Sequence, residues 1–174
     1  KWRFSDGKQA DGYDEVGIEM YGDKGLAGGM SWYKSADHKP SVVFRPYEPP
    51  AQEPSAEFPF WFCTGRLLEH WHTGTMTRRV EELDRALPEA LLSMNADDAT
   101  ALGVNDGDMV QLTSPHGTMQ IKVSLAGRVE PPSGMVFAPF FAAETLINRV
   151  VQDYYCPLSK ETDYKKTCVS IKKA

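Results

Sequence analysis

Cysteine is scarce in this 174-residue chain: Cys63, Cys156 and Cys168 are the whole set, and no two are close. An odd, scattered set builds neither a disulfide framework nor a Cys-x-x-Cys zinc site. No apolar run approaches the roughly 20 residues of a membrane-spanning helix. Basic charge is short as well. Nineteen Lys/Arg against 24 Asp/Glu give a net charge of -5, which argues against a general nucleic-acid binder. There is no glycine-lysine phosphate loop, no serine in a nucleophile elbow and no internal repeat. The opening Lys-Trp-Arg shows neither an initiator Met nor a basic-then-apolar leader. It reads as the start of a processed product or of a piece of something longer.

What is present is enough for a packed core, with 41% hydrophobic and 25% charged residues. Charge is uneven: residues 1–57 carry -3, 58–127 carry -4 and 128–174 carry +2. The small basic excess at the C-terminal end fits an ordinary solvated surface. Residues 1–45 are rich in Gly, Tyr, Asp and Lys, and only Ser41–Arg45 has a strand pattern. Five of the twelve prolines then fall between Pro46 and Pro59, the mark of an extended connector. We therefore read 1–57 as an irregular arm with a Pro-rich connector, and 58–174 as the folded domain.

Within that domain, Phe58–Cys63 reads as a strand entering a loop. Thr77 is placed to cap a short helix with Val80, Leu83 and Leu87 on one stripe, stopped by Pro88. Leu91-Leu92 form a short strand. Asn95 caps a second helix, with Asp97 and Asp98 in its first turn and Gly103 after its end. Val110 and Leu112 alternate on one arm of a hairpin and Met119, Ile121, Val123 and Leu125 on the other, around Pro115-His116-Gly117. Strands follow at Met135–Ala138 and Thr167–Ile171. The periodicity predicts a helix over Ala142–Val151, with Leu146, Ile147, Val150 and Val151 on one face. Many short strands, few helices and frequent turns predict a mostly-β barrel with short helices.

The densest polar cluster runs from Thr64 to Arg79. Four threonines, two glycines, three arginines and two histidines occupy sixteen residues. Glycine lets a backbone approach a ligand closely, while threonine hydroxyls and arginine forks suit phosphate oxygens. Trp71 and the histidines offer stacking faces. The segment reads as a loop wrapping an anionic, ring-bearing ligand. On an extended strand His70 and His72 would share a face, but no third metal ligand is evident, and hydrogen bonding or stacking is the expected use. Cys63 reads as a small buried hydrophobe. Phe140 and Phe141 lie at a strand-to-helix junction, where rings pack in the core or line a pocket. Pattern alone makes solvent residues of Asn148, Lys165 and Lys166. The pairs Asp97/Asp98 and Asp106/Asp108 suit capping and turns, so no catalytic acid–base pair is named.

Cys63-Thr64-Gly65-Arg66, running on through Glu69-His70-Trp71-His72-Thr73-Gly74-Thr75-Met76-Thr77-Arg78-Arg79, resembles the C-terminal domain of molybdopterin-dinucleotide enzymes of the dimethyl-sulfoxide-reductase family. So do Gly103–Val110, Ser114–Gly117, Pro131–Gly134 and Pro139-Phe140-Phe141. The tail Pro157–Lys166 resembles the catalytic subunit of one branch, the periplasmic nitrate reductases. The resemblance implies a double-psi β-barrel that helps bind a molybdenum bis(molybdopterin guanine dinucleotide) cofactor. It implies cofactor contacts from Thr64, Gly65, Arg66, Leu67, Leu68, Glu69, His70, Trp71, His72, Thr73, Asn148 and Lys165, with Phe140 near the substrate route. It implies a periplasmic parent enzyme whose [4Fe-4S] cluster and molybdenum ligand come from earlier domains. Those domains and a diheme c-type cytochrome electron donor are the implied partners. The isolated chain is then expected to be inactive. A molybdenum-dependent formate dehydrogenase and a stand-alone nucleotide- or anion-binding module remain the alternatives.

Overall fold

The computed structural model describes residues 2–3, 9–10, 46–47, 49–156 and 160–174. Two compact units divide the chain, Lys1–Glu48 and Pro49–Ala174. In the first, β1 (Trp2–Arg3) pairs antiparallel with β2 (Gln9–Ala10). The strand expected at Ser41–Arg45 lies outside the described residues.

The second unit is built on β3 (Phe60–Gly65), β4 (Leu92–Met94), β5 (Met109–Ser114), β6 (Gly117–Ser124), β7 (Met135–Pro139) and β8 (Thr167–Lys173). They close in the order β3-β7-β4-β6-β5-β8. The pairs β3·β7 and β4·β6 are parallel, and the other four are antiparallel. This is the mostly-β barrel with short helices that the sequence pattern predicted. Closure leaves none of the six barrel strands as an edge.

The core follows from period-2 alternation. Val110 and Leu112 on β5 and Met119, Ile121 and Val123 on β6 all point inward, joined by Phe62, Leu92, Val136 and Val169. The hairpin turns at Pro115-His116, with Ser114 opposite Gly117. Helix α2 (Ala96–Leu102) begins as expected, with the Asn95 side chain accepting the Asp97 N–H at 2.9 Å. It ends with Gly103 in the left-handed region at φ 65°, where glycine pays no Cβ penalty. Asp98 reaches from α2 to the 131–134 turn, accepting from Ser133 Oγ at 2.6 Å and Gly134 N at 2.7 Å.

Two expectations are corrected. Thr77 does not cap an α-helix. Thr77–Arg79 is a single 3-10 turn, and α1 is the short Glu81–Ala86 segment, with no side-chain cap. Thr77's hydroxyl is turned back into the preceding loop instead. The Ala142–Val151 helix is also absent. The segment bends and makes one 3-10 turn at Ile147–Arg149. The apolar stripe is nonetheless partly real, since Ile147, Val150 and Val151 are buried while Leu146 is exposed. Four β-branched residues, Thr145, Ile147, Val150 and Val151, weaken the helix. At its start Glu144 is drawn to Arg78 (3.1 Å).

Gln52 fastens Pro49–Glu57 to the barrel. Its Oε1 accepts the Cys168 N–H at 3.1 Å, and its Nε2 lies 2.8 Å from His116 Nε2. Burial, then the nearby Glu53 carboxylate, pushes the Cys168 thiol up. At the far seam Asp108 accepts from Lys173 Nζ at 2.6 Å and from Asn105 N at 2.8 Å. The Lys173 ammonium, then the Asn105 N–H, hold its carboxyl below the usual range. The folded value is the lower one, so the contribution to stability is complete above the unfolded value and is lost as pH falls through the folded one. In urea titrations, the gap between the wild-type and Asp108→Asn midpoints should narrow between about pH 6 and about pH 3. A gap that widens on acidification would contradict this placement.

Candidate functional site

The strand registers decide where the polar loop emerges. Gly65 lies opposite Pro139 at the parallel ends of β3 and β7. Phe62 is opposite Thr167 at the start of β8, and Thr113 is opposite Ser170, so the β5–β6 turn points the same way. One rim of the barrel therefore gathers the 66–80 loop, the 140–151 segment, the hairpin turn and the 160–166 tail.

The tail is fastened to the loop's root. Thr64 Oγ1 donates to the Tyr164 carbonyl oxygen at 3.1 Å, and Lys165 Nζ donates to the Thr64 carbonyl oxygen at 2.7 Å. Lys165, 101 residues away in sequence, thus sits beside Thr64. Gly65 is needed here because a Cβ would lie 2.6 Å from Phe137 Cε2. The turn bearing Asn148 packs on the hairpin, and a Cβ on Gly117 would lie 2.3 Å from the Arg149 carbonyl oxygen. Sequence pattern gives no hint of Gln152, which is buried beside this tail. Its N–H donates to Thr167 Oγ1 at 2.8 Å and its Nε2 to the Asp163 carbonyl oxygen at 2.7 Å. Its Oε1 has no hydrogen-bond partner among the described residues.

The loop divides into anchors and exposed groups. His70 points inward, only 2% exposed, whereas His72 points out at φ 54°, a left-handed backbone uncommon for a non-glycine residue. The two histidines therefore do not share the face that an extended strand would have given them. The edge of the His72 ring meets Phe140, with centroids 5.6 Å apart. Arg78 is spent on internal bonds to Asp84 (3.0 Å), Glu144 (3.1 Å) and the Pro88 carbonyl oxygen (3.2 Å). The carboxylates of Asp84 and then Glu144 hold the Arg78 guanidinium above its usual value. Its own N–H, then Arg78, holds Glu144 below the usual carboxylate range. Gly74, at φ 73°, makes the close approach to Arg78 and Phe141 that a side chain would block. Glu69, 14% exposed, is neutralised by Arg128 at 2.7 Å. Cys63, expected to be buried, is half-buried.

Facing outward are Arg66, Leu68, Trp71, His72, Thr73 and Asn148; Leu67 is half-buried. The Arg66 guanidinium lies 5.2 Å from the Trp71 ring centroid. Neither it nor Thr73 or Asn148 makes a side-chain hydrogen bond or ion pair among the described residues. The rim thus presents donors and an aromatic face, with its nearest acids already paired. That chemistry fits an anionic dinucleotide.

The sequence profile of the Molydopterin dinucleotide binding domain matches residues 60–169. This chain belongs to that family. The match takes in the barrel from β3 into β8 and every candidate residue above. Among solved structures, acetylene hydratase from Pelobacter acetylenicus superposes with a TM-score of 0.58 at 15% identity, over 67% of this chain. This chain spans 18% of that protein. The rationally designed protein mkDPBB_sym_86 matches at a TM-score of 0.37 and 14% identity, over 70% of this chain and 99% of its own. Among the described residues, no helix is long and apolar enough to cross a membrane, and no three of His, Cys, Asp and Glu gather as a metal site.

Proposed function

We propose that this chain caps the molybdenum bis(molybdopterin guanine dinucleotide) cofactor of a periplasmic nitrate reductase. The observation that carries the reading is the rim: in a molydopterin-dinucleotide-binding domain, the fastening of Lys165 to Thr64 brings the loop root and the tail to one edge. Arg66 and Lys165 would meet phosphate oxygens, Thr73 and Asn148 would donate to polar edges, and Trp71 would offer a ring face. Phe140, held against His72, would border the route to the reacting centre. The nitrate branch is favoured by the tail, Ser159-Lys160-Glu161 with Tyr164-Lys165-Lys166.

When bound, the cofactor supplies the two-electron chemistry by which nitrate, two protons and two electrons give nitrite and water. This chain's residues bind and orient it. The remaining domains, a [4Fe-4S] cluster they ligate, a diheme c-type cytochrome donor and the periplasm complete the proposal.

The test uses the longer protein that carries this domain. Arg66→Ala and Lys165→Met each remove a charge-assisted donor. Each is expected to weaken cofactor retention about ten- to a hundredfold, read as molybdenum and guanine-nucleotide content after gel filtration. Unchanged content in both variants would remove the role assigned to the rim. Turnover of formate with none of nitrate would move the chain to the formate dehydrogenase branch.

A further inference from the structure

His70 is the most enclosed side chain of the loop, and both its ring nitrogens are engaged. Nε2 lies 2.7 Å from the Leu87 carbonyl oxygen. A carbonyl only accepts, so Nε2 carries a proton. Nδ1 lies 3.2 Å from Thr77 Oγ1. That hydroxyl accepts the Trp71 N–H at 3.1 Å, and in the neutral ring, whose one proton is on Nε2, it donates its own proton to Nδ1. The bonds run in one direction, from Trp71 N–H to Thr77, from Thr77 to His70, and from His70 to Leu87. No polar atom of the imidazole remains for a ligand.

The ring's flat face has a partner as well. It lies on Phe141, with centroids 4.1 Å apart and planes tilted by 33°. Arg78 lies over the same Phe141, 5.8 Å from its centroid. Three segments thus meet at His70: the loop, the exit of α1 through Leu87, and the 140–144 stretch. The two residues that follow His70 face outward. Trp71 is held by its N–H to Thr77, and His72, in its left-handed turn, meets Phe140, the neighbour of Phe141.

We propose that His70 is a positioning residue and not a cofactor contact: its Nε2–H tautomer, locked between Thr77 and Leu87 on the Phe141 ring, sets the outward placement of Trp71 and His72 and, through Phe141, of Phe140. The same arrangement removes His70 from any metal-ligand set. The link from this placement to cofactor binding rests on the function proposed above. The tautomer and the placement do not.

The experiment has two arms. In the first, the 174-residue chain labelled with 15N-histidine is examined by long-range 1H–15N correlation, with His70 assigned by loss of its signals in His70→Gln. A single Nε2–H tautomer is expected, with a slowly exchanging ring proton. The Nδ1–H tautomer, or an averaged pair, overturns the proposal. In the second arm Thr77→Val removes the hydroxyl at nearly constant shape and Thr77→Ser retains it. Thr77→Val should move the Trp71 and His72 amide signals, and Thr77→Ser should leave them near wild type. Unmoved signals in Thr77→Val overturn the positioning role. In the longer protein Thr77→Val should weaken cofactor retention about three- to tenfold, with Thr77→Ser restoring it. Moved amides with wild-type retention would uphold the positioning role and count against the cofactor reading.

Discussion

Phe62→Ala is expected to destabilise the barrel by about 3–5 kcal/mol. Phe62 is 0% exposed and sits on β3, the strand that closes the barrel between β7 and β8. Removing the ring deletes its buried apolar area and leaves a cavity that a closed barrel is poorly able to collapse, because each strand is hydrogen-bonded on both sides. Domains of this size are stable by only about 5–15 kcal/mol, so the variant should unfold at a much lower urea concentration. Leu68→Ala is the matched control. Leu68 is 87% exposed in the rim loop, and its truncation should change stability by no more than about 0.5 kcal/mol. A loss below about 1 kcal/mol for Phe62→Ala would contradict this placement of the core.

Gly117→Val should be the most damaging single change near the rim. Gly117 opens β6, and a Cβ there would stand 2.3 Å from the Arg149 carbonyl oxygen. The obstacle is backbone, so no rotamer relieves it and either the hairpin or the 147–149 turn must shift. Overpacking of this kind costs about 1–3 kcal/mol. Ile147 and Val150, which flank Asn148 and Arg149, belong to the core, so the shift is felt there too. Asn148 rides on the same turn, so on the function proposed above the enzyme carrying this domain should also lose cofactor. Gly103→Ala is informative by contrast. Beyond its chain neighbours, no atom of the described residues lies within 4 Å of its added methyl, and the positive φ of 65° is what opposes it. It should cost about 1–2 kcal/mol and leave cofactor content alone. Equal cofactor loss in the two variants would contradict the link from Gly117 through Arg149 to Asn148.

The barrel was legible because its signals are local. Alternation at Val110/Leu112 and Met119/Ile121/Val123 states which faces are buried, and Asn95 and Gly103 bracket a helix whose caps need only their own neighbours. The polar density of 64–79 was also legible, as was its exit at the end of β3. What escaped was the division of labour within the loop. His70 and His72 look alike in sequence, but Leu87, seventeen residues on, takes one inward, and Phe140 meets the other. Arg78 reads as a ligand donor until Glu144, 66 residues away, takes part of its fork. Thr77 has the chemistry of a cap, and the enclosed His70 recruits that hydroxyl. The helix expected over Ala142–Val151 fails for the same reason: contacts remote in sequence outweigh a short periodic stretch with weak propensity.

The most direct measurement is the crystal structure of the longer protein with its molybdenum cofactor bound. The account predicts the dinucleotide on the β3/β7-end rim, with phosphate oxygens within hydrogen-bonding distance of Arg66 or Lys165 and polar ring atoms beside Asn148 and Thr73. A cofactor bound against the opposite end of the barrel, near Asp108 and Lys173, would contradict it.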